Sequence, residues 1–185
     1  MAIPFETWGA HPHEIDAAMP GDDLIDDPAM SATRAIDLDR PPAEAFGWLT
    51  QMGFGRAGWY SYDLIDNLGR RSARRIHPEW QVTRAGDSVP GGPVDFTAAI
   101  VDPPHAFVLS LLGQRLAGHR IDFTLAYVLS PMASTTGEPS GSRLVCRARA
   151  KIHGPAGRLV VPALCLGDGI MVRRQLLGIR ERCAG

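Results

Sequence analysis

The sequence predicts an α+β fold: a curved antiparallel sheet wrapped around one long C-terminal helix, with two short helices after the first strand. Three observations predict it. From Ser72 onward, VDFTAAIVD, HAFVLSLLG, IDFTLAYVLS and SRLVCRARAKI are strand-like and separated by Pro-Pro, Gly-rich or polar turns, the texture of a meander. The last 30 residues return to a helical pattern. Two helical stretches stand between the strand-like ATRAIDLD and the meander. With 185 residues, 45% of them hydrophobic and 21% charged, the chain has material for one domain with a sizeable core.

Taken in order, residues 1–30 read as an irregular arm ahead of a single domain at 31–185. Pro12, Pro20-Gly21 and Pro28 break the arm, HEIDAAM makes a helical turn, and the acidic DDLIDD reads as a solvated surface. ATRAIDLD sets Arg34, Ile36 and Leu38 against Thr33, Ala35 and Asp37, the period of two of a half-buried strand. Pro41 and Pro42 suit a first helical turn, and Ala43, Phe46, Trp48 and Leu49 supply an apolar stripe, so a helix is expected at 41–52. A second is expected at about 59–68, with Tyr60, Leu64 and Leu68 on one face and Trp59, Tyr62, Asp63 and Asp66 on another. After the meander, whose SPMASTTGEPSGS reads as an exposed hairpin loop, Ile170, Met171, Leu176, Leu177 and Ile179 form the apolar side of the terminal helix. Asp168 stands near its start. The apolar stretch 159–166 is interrupted by Pro162 and is shorter than the roughly 20 residues of a membrane span, so it reads as a packed segment.

Several function classes fall away. Gly53-Phe54-Gly55-Arg56-Ala57-Gly58 has the G-x-G-x-x-G spacing of a dinucleotide loop, but that loop works only between a buried strand and an opening helix, and here a helix delivers the chain to Gly53. The glycines read as helix punctuation. A net charge of -1 with dispersed basic residues argues against nucleic acid as a partner. Cys146, Cys165 and Cys183 form no C-x-x-C pair, and no basic stretch followed by an apolar run opens the chain, so a cytoplasmic protein without stable membrane insertion is expected. His11-x-His13 has no third ligand nearby, so no metal is expected, and no nucleophile elbow or phosphate loop suggests a cofactor. His77, His105 and His119, with Tyr60 or Tyr62 as proton donor, are the available acid–base groups, yet none has a partner fixed by spacing, and the catalytic residue stays unassigned.

A curved sheet under one helix encloses a space that side chains or a ligand must fill. SRLVCRARAKI turns Leu144, Cys146, Ala148, Ala150 and Ile152 to one face and Arg143, Val145, Arg147, Arg149 and Lys151 to the other. Small inward residues favour a cavity, with close helix packing as the alternative.

On these residues the chain resembles the SRPBCC superfamily, the START-related, polyketide cyclase/dehydrase and lipid-transport group, in its small bacterial branch. The resemblance runs through WGA and PGDDLIDDP in the arm, TRAIDLDRPPAEAFGWLTQMG, GRAGWYSYDLIDN, RIHPEWQ followed by AGD, and RRQLLGIRER. It implies the helix-grip fold and a hydrophobic cavity between sheet and terminal helix, with no catalytic residue to carry over. Trp59-Tyr60-Ser61-Tyr62-Asp63-Leu64 departs from a more aromatic Phe-Tyr-Ser-Tyr-Asp-Trp, and SVPGGPVDF is short and glycine-rich, which points to a different pocket size and polarity. The expected function is binding of a hydrophobic or amphiphilic small molecule, with Trp59, Tyr60, Tyr62, Asp63, Cys146, Ala148, Ala150 and Met171 as candidate site residues. Asp63 either orients a ligand hydroxyl or pairs with Arg74 or Arg75. The alternatives are a cyclase or dehydratase using the same cavity, and a module presenting the cavity rim or the Arg-rich terminal helix to a protein partner.

Overall fold

The computed structural model describes residues 6–116, 119–133, 140–154 and 157–184, with residues 116 and 157–162 as backbone alone. A single-turn helix α1 (Pro12–Asp16) and a 3-10 turn (Asp22–Leu24) lie in the arm. There follow β1 (Met30–Leu38), α2 (Pro42–Thr50), α3 (Asp63–Asp66), a 3-10 turn (Pro78–Trp80), β2 (Ser88–Val89), β3 (Phe96–Asp102), β4 (Ala106–Leu116), β5 (His119–Met132), β6 (Gly141–Ile152) and α4 (Gly157–Cys183). The strands form one antiparallel sheet in the order β1-β6-β5-β4-β3-β2, so the first strand joins the sheet beside the last. Strand, helices, meander and long terminal helix follow one another as the helix-grip fold requires, and the chain has that fold. Of the expected loop at 130–142, β5 and β6 take both ends; residues 134–139 lie outside those described, as do the side chains of 159–162.

The core lies between sheet and α4. Ala32, Leu144, Cys146, Ala148 and Ala150 share it with Cys165, Leu176 and Ile179, all fully buried. The small side chains of Ala32, Cys146, Ala148 and Ala150 let helix and sheet approach closely here, at the β1–β6 edge.

The arm departs from expectation. Its backbone reaches the outer edge of the sheet, where the Ala35 N–H donates to the Trp8 carbonyl (3.0 Å), and Arg173 of α4 lies over the Trp8 ring at 5.2 Å. Arg147 and Arg149 reach from the outer sheet face to Asp22 (2.7 and 2.8 Å), and Arg147 also donates to the carbonyls of Glu14, Ile15 and Ala17 and to Thr33 Oγ1. Asp22 of the acidic run is therefore an anchor, not a solvated charge. Because the arm covers the outer face, Thr33 and Ala35 are as buried as their inward neighbours, and β1 is buried on both sides where alternation had suggested one.

Candidate ligand-binding site

The segment between α2 and α3 shapes the site. Gly53 and Gly58 exchange backbone hydrogen bonds across a tight turn (3.1 and 3.0 Å), Phe54 N–H donates to Pro90, Arg56 N–H to Gly53 and Gly55 N–H to Asn67 Oδ1. The N–H groups of Gly53, Phe54, Gly55, Arg56 and Gly58 are thus taken up by the protein itself, and α2 stands where a dinucleotide fold has a strand, so this is a hairpin, not a phosphate loop.

From Trp59 to Tyr62 the chain is not helical. Tyr60 has φ 59, a left-handed conformation that costs a bulky residue and persists only where the surroundings hold it. Here Gln51 Nε2 donates to its hydroxyl (2.8 Å), Arg182 lies over its ring at 4.3 Å, and Trp48 meets it edge-on. Gly178 of α4 leaves room for the Tyr60 carbonyl, which a Cβ would strike. The helix expected at 59–68 shrinks to α3, and the two faces assigned to it do not exist.

This rearrangement scatters the candidate residues. Between the β3–β5 half of the sheet and α4 lies a cavity of about 210 Å³ lined by Trp59, Ser61, Asp66, Gly91, Phe96, Phe123, Leu125, Asp168, Met171, Val172 and Gln175. Of the residues singled out from sequence, Trp59 and Met171 line it. Tyr60 and Asp63 line a separate polar cleft with Arg71, Ser72, Arg74, Arg174 and Arg182. Asp63 accepts from the backbone N–H (3.1 Å) and the hydroxyl of Ser72, so the expected pairing with Arg74 or Arg75 is replaced by a serine clasp. Tyr62 is 41% exposed and touches neither space. Cys146, Ala148 and Ala150 are packed, and the small-residue strand makes close contact, not room.

The cavity wall is aromatic: Trp59 meets Phe96 edge-on at 5.6 Å, and Phe96 lies 6.2 Å from Phe123. Its polar groups are few and mostly engaged. Ser61 Oγ donates to the Met171 carbonyl (3.0 Å), and Gln175 Oε1 accepts from the buried Tyr127 hydroxyl (2.7 Å). Asp168 accepts from Arg34 (2.7 Å), whose side chain is wholly buried in β1. Burial raises the Asp168 pKa against the opposing pull of that guanidinium.

Asp66 is different. Both carboxylate oxygens are shielded from solvent without a hydrogen bond; the nearby N–H groups of Asp66 and Tyr62 favour the charge without completing one. Burial, and then the neighbouring Asp63, push its pKa up to about 6. Asp66 and Gly91 also border an open groove of about 360 Å³ with Phe54, Ile65, Leu68 and Pro93, so the carboxyl stands where cavity and groove meet.

None of the three histidines weighed as acid–base groups lines the cavity. His77 stacks on Trp80 at 3.9 Å and meets Glu79, His105 closes a turn by donating its N–H to Asp102, and His119 begins β5. Sequence reasoning missed Phe96, Phe123, Leu125, Val172 and Gln175 as wall residues. Phe123 and Leu125 were legible in the alternation of IDFTLAYVLS, and Gln175 as a polar residue beside the apolar Leu176 and Leu177 of the terminal helix.

No family model matches the chain, and no curated protein matches its sequence. Among solved structures, a conserved protein from Geobacillus kaustophilus is similar at 13% identity, with 84% of this chain and 95% of that one covered and a TM-score of 0.47. A protein from Mesorhizobium loti gives 14% identity, 81% and 95% coverage and 0.44. A START superfamily protein from Mycobacterium smegmatis gives 6% identity, 83% and 97% coverage and 0.39. On its own strand order and its terminal helix, the chain has a helix-grip fold.

Proposed function

We propose that the chain binds a small hydrophobic or amphiphilic molecule between β3–β5 and α4, with the apolar part against Trp59, Phe96, Phe123 and Leu125 and a polar group at Asp66. The observation that carries this reading is the aromatic cavity with one shielded carboxyl that has no hydrogen bond of its own, since buried polar groups are normally paired and this one is left for a ligand or water. A donor on the ligand, such as a hydroxyl or amine, suits it.

The test is a neutral apolar fluorophore, N-phenyl-1-naphthylamine, titrated into the parent and into Val172→Phe, which fills the cavity from α4. The parent should bind saturably and the variant at least tenfold more weakly. A folded variant with unchanged affinity overturns the reading.

A second reading, a proton-transferring enzyme of the cyclase or dehydratase type, is favoured by the same carboxyl, because a group titrating near neutrality inside a cavity suits general acid–base work. It requires turnover of a polyketide-like or aromatic substrate that Asp66→Asn abolishes while binding survives.

A further inference from the structure

Between Tyr62 and Arg75 the chain turns its apolar and cationic side chains outward and its acidic ones inward. Leu64, Ile65 and Leu68 are 80%, 69% and 75% exposed. Arg70, Arg71, Arg74 and Arg75 are exposed beside them. Asp63 is held by Ser72, and the Asp66 oxygens are shielded. Local structure explains why the apolar residues stay outside. A helix of one turn, followed by Leu68 in a left-handed conformation (φ 49), has no second turn with which to fold them onto the core.

We propose that this segment docks on the surface of an anionic lipid bilayer, with Leu64, Ile65 and Leu68 entering the boundary between headgroups and acyl chains and the arginines meeting lipid phosphates. An apolar tip with a cationic collar is what interfacial attachment requires. Charge complementarity selects this occupant: a second copy of the chain would set the arginines against one another, and three apolar side chains fall short of the roughly 800 Å² a side of a stable protein interface. Among the described residues no helix is long and apolar enough to cross a membrane, so the attachment is to the surface. Ile65 and Leu68 also wall the groove that meets the cavity at Asp66, which places the docked tip at the cavity's door. The proposal stands on exposed side chains and holds whether or not the cavity binds a ligand.

The test is co-sedimentation of the full chain with vesicles of phosphatidylcholine alone and of phosphatidylcholine mixed in equal parts with phosphatidylglycerol. The chain should sediment with the mixed vesicles, less as salt rises, and remain in solution with the neutral ones. Leu64→Ser with Ile65→Ser should weaken binding at least tenfold, and each of Arg70→Gln and Arg71→Gln by about fivefold. All four positions are exposed, so melting temperatures should match the parent and separate lost docking from lost folding. Failure to sediment with either vesicle, equal binding to both, or variants that bind like the parent overturns the proposal. So does a dimer on size exclusion that the Leu64→Ser, Ile65→Ser chain dissolves, since the tip would then serve self-association.

Discussion

Asp66 and Asp168 face one cavity and are stabilised in opposite ways. Asp168 accepts from the buried guanidinium of Arg34 in β1, and taking one carboxylate from a buried ion pair is destabilising, so Asp168→Ala should lower stability in denaturant unfolding by up to about 3–5 kcal/mol. Replacing both Arg34 and Asp168 by apolar residues of similar volume should recover much of that loss. Asp66 has a folded pKa of about 6 against an ordinary 3.8, so the fold favours its protonated form. The stability linked to it is complete below about pH 4 and is lost as pH rises through 6. Melting temperatures of the parent should therefore fall more between pH 4 and 7 than those of Asp66→Asn; parallel profiles would show that the carboxyl is solvated in both states. Glu14 has the reverse sign. Its hydrogen bond from Arg143, opposed by burial, holds the pKa at about 2, so its contribution is present above pH 4.5 and lost as pH falls toward 2.

At the scale of elements, two stretches invert their sequence reading. In β6, Cys146, Ala148 and Ala150 lie in the packed half of the core, so Ala148→Phe should overpack it and destabilise by roughly 1–3 kcal/mol, measured by denaturant unfolding, while leaving probe affinity within a few fold. The opposite result, a stable variant that loses the probe, would return the small-residue strand to the cavity wall. In the segment after Gly58, the left-handed Tyr60 breaks the helix and sends neighbouring aromatics to different places: Trp59 into the cavity, Tyr60 into the core, Tyr62 toward solvent. Tyr62→Phe should thus leave both stability and probe binding unchanged. Trp59→Ala should lose both, with about 3–5 kcal/mol of stability.

For the whole molecule, the arm and the domain were expected as two units at 1–30 and 31–185, and we propose that they fold as one. The arginines of the outer sheet face bind arm carbonyls and carboxylates, and the arm backbone covers the edge strand that would otherwise invite pairing with another chain. Arg147→Ala removes five hydrogen bonds at once, to Thr33, Asp22 and three carbonyls, and leaves those acceptors partly buried. It should expose the arm to limited proteolysis before the rest of the chain unfolds and should lower the melting temperature. An arm that stays resistant would mean that the remaining contacts, those of Arg143 and Arg149 with the Trp8–Arg173 and edge-strand contacts, suffice to hold it.

The sequence by itself determined the class of fold, the order of elements and the positions of the five long strands, because period-two alternation and proline or glycine punctuation are local signals that packing reinforces. It also ruled out the dinucleotide loop, since the helix upstream of Gly53 is legible in Pro41, Pro42 and the apolar stripe. What it left undecided depends on contacts between distant residues. Arg34 is buried because Asp168 lies 134 residues away on α4, Arg147 because the arm returns over it, and the short α3 because the Tyr60 backbone must fit against Gly178. The cavity belongs to this second group. Residue size along one strand does not say which half of a curved sheet the helix approaches, and only the tertiary structure puts that helix against the β1–β6 edge, leaving the space under Phe96, Phe123 and Leu125 with Asp66 at its mouth.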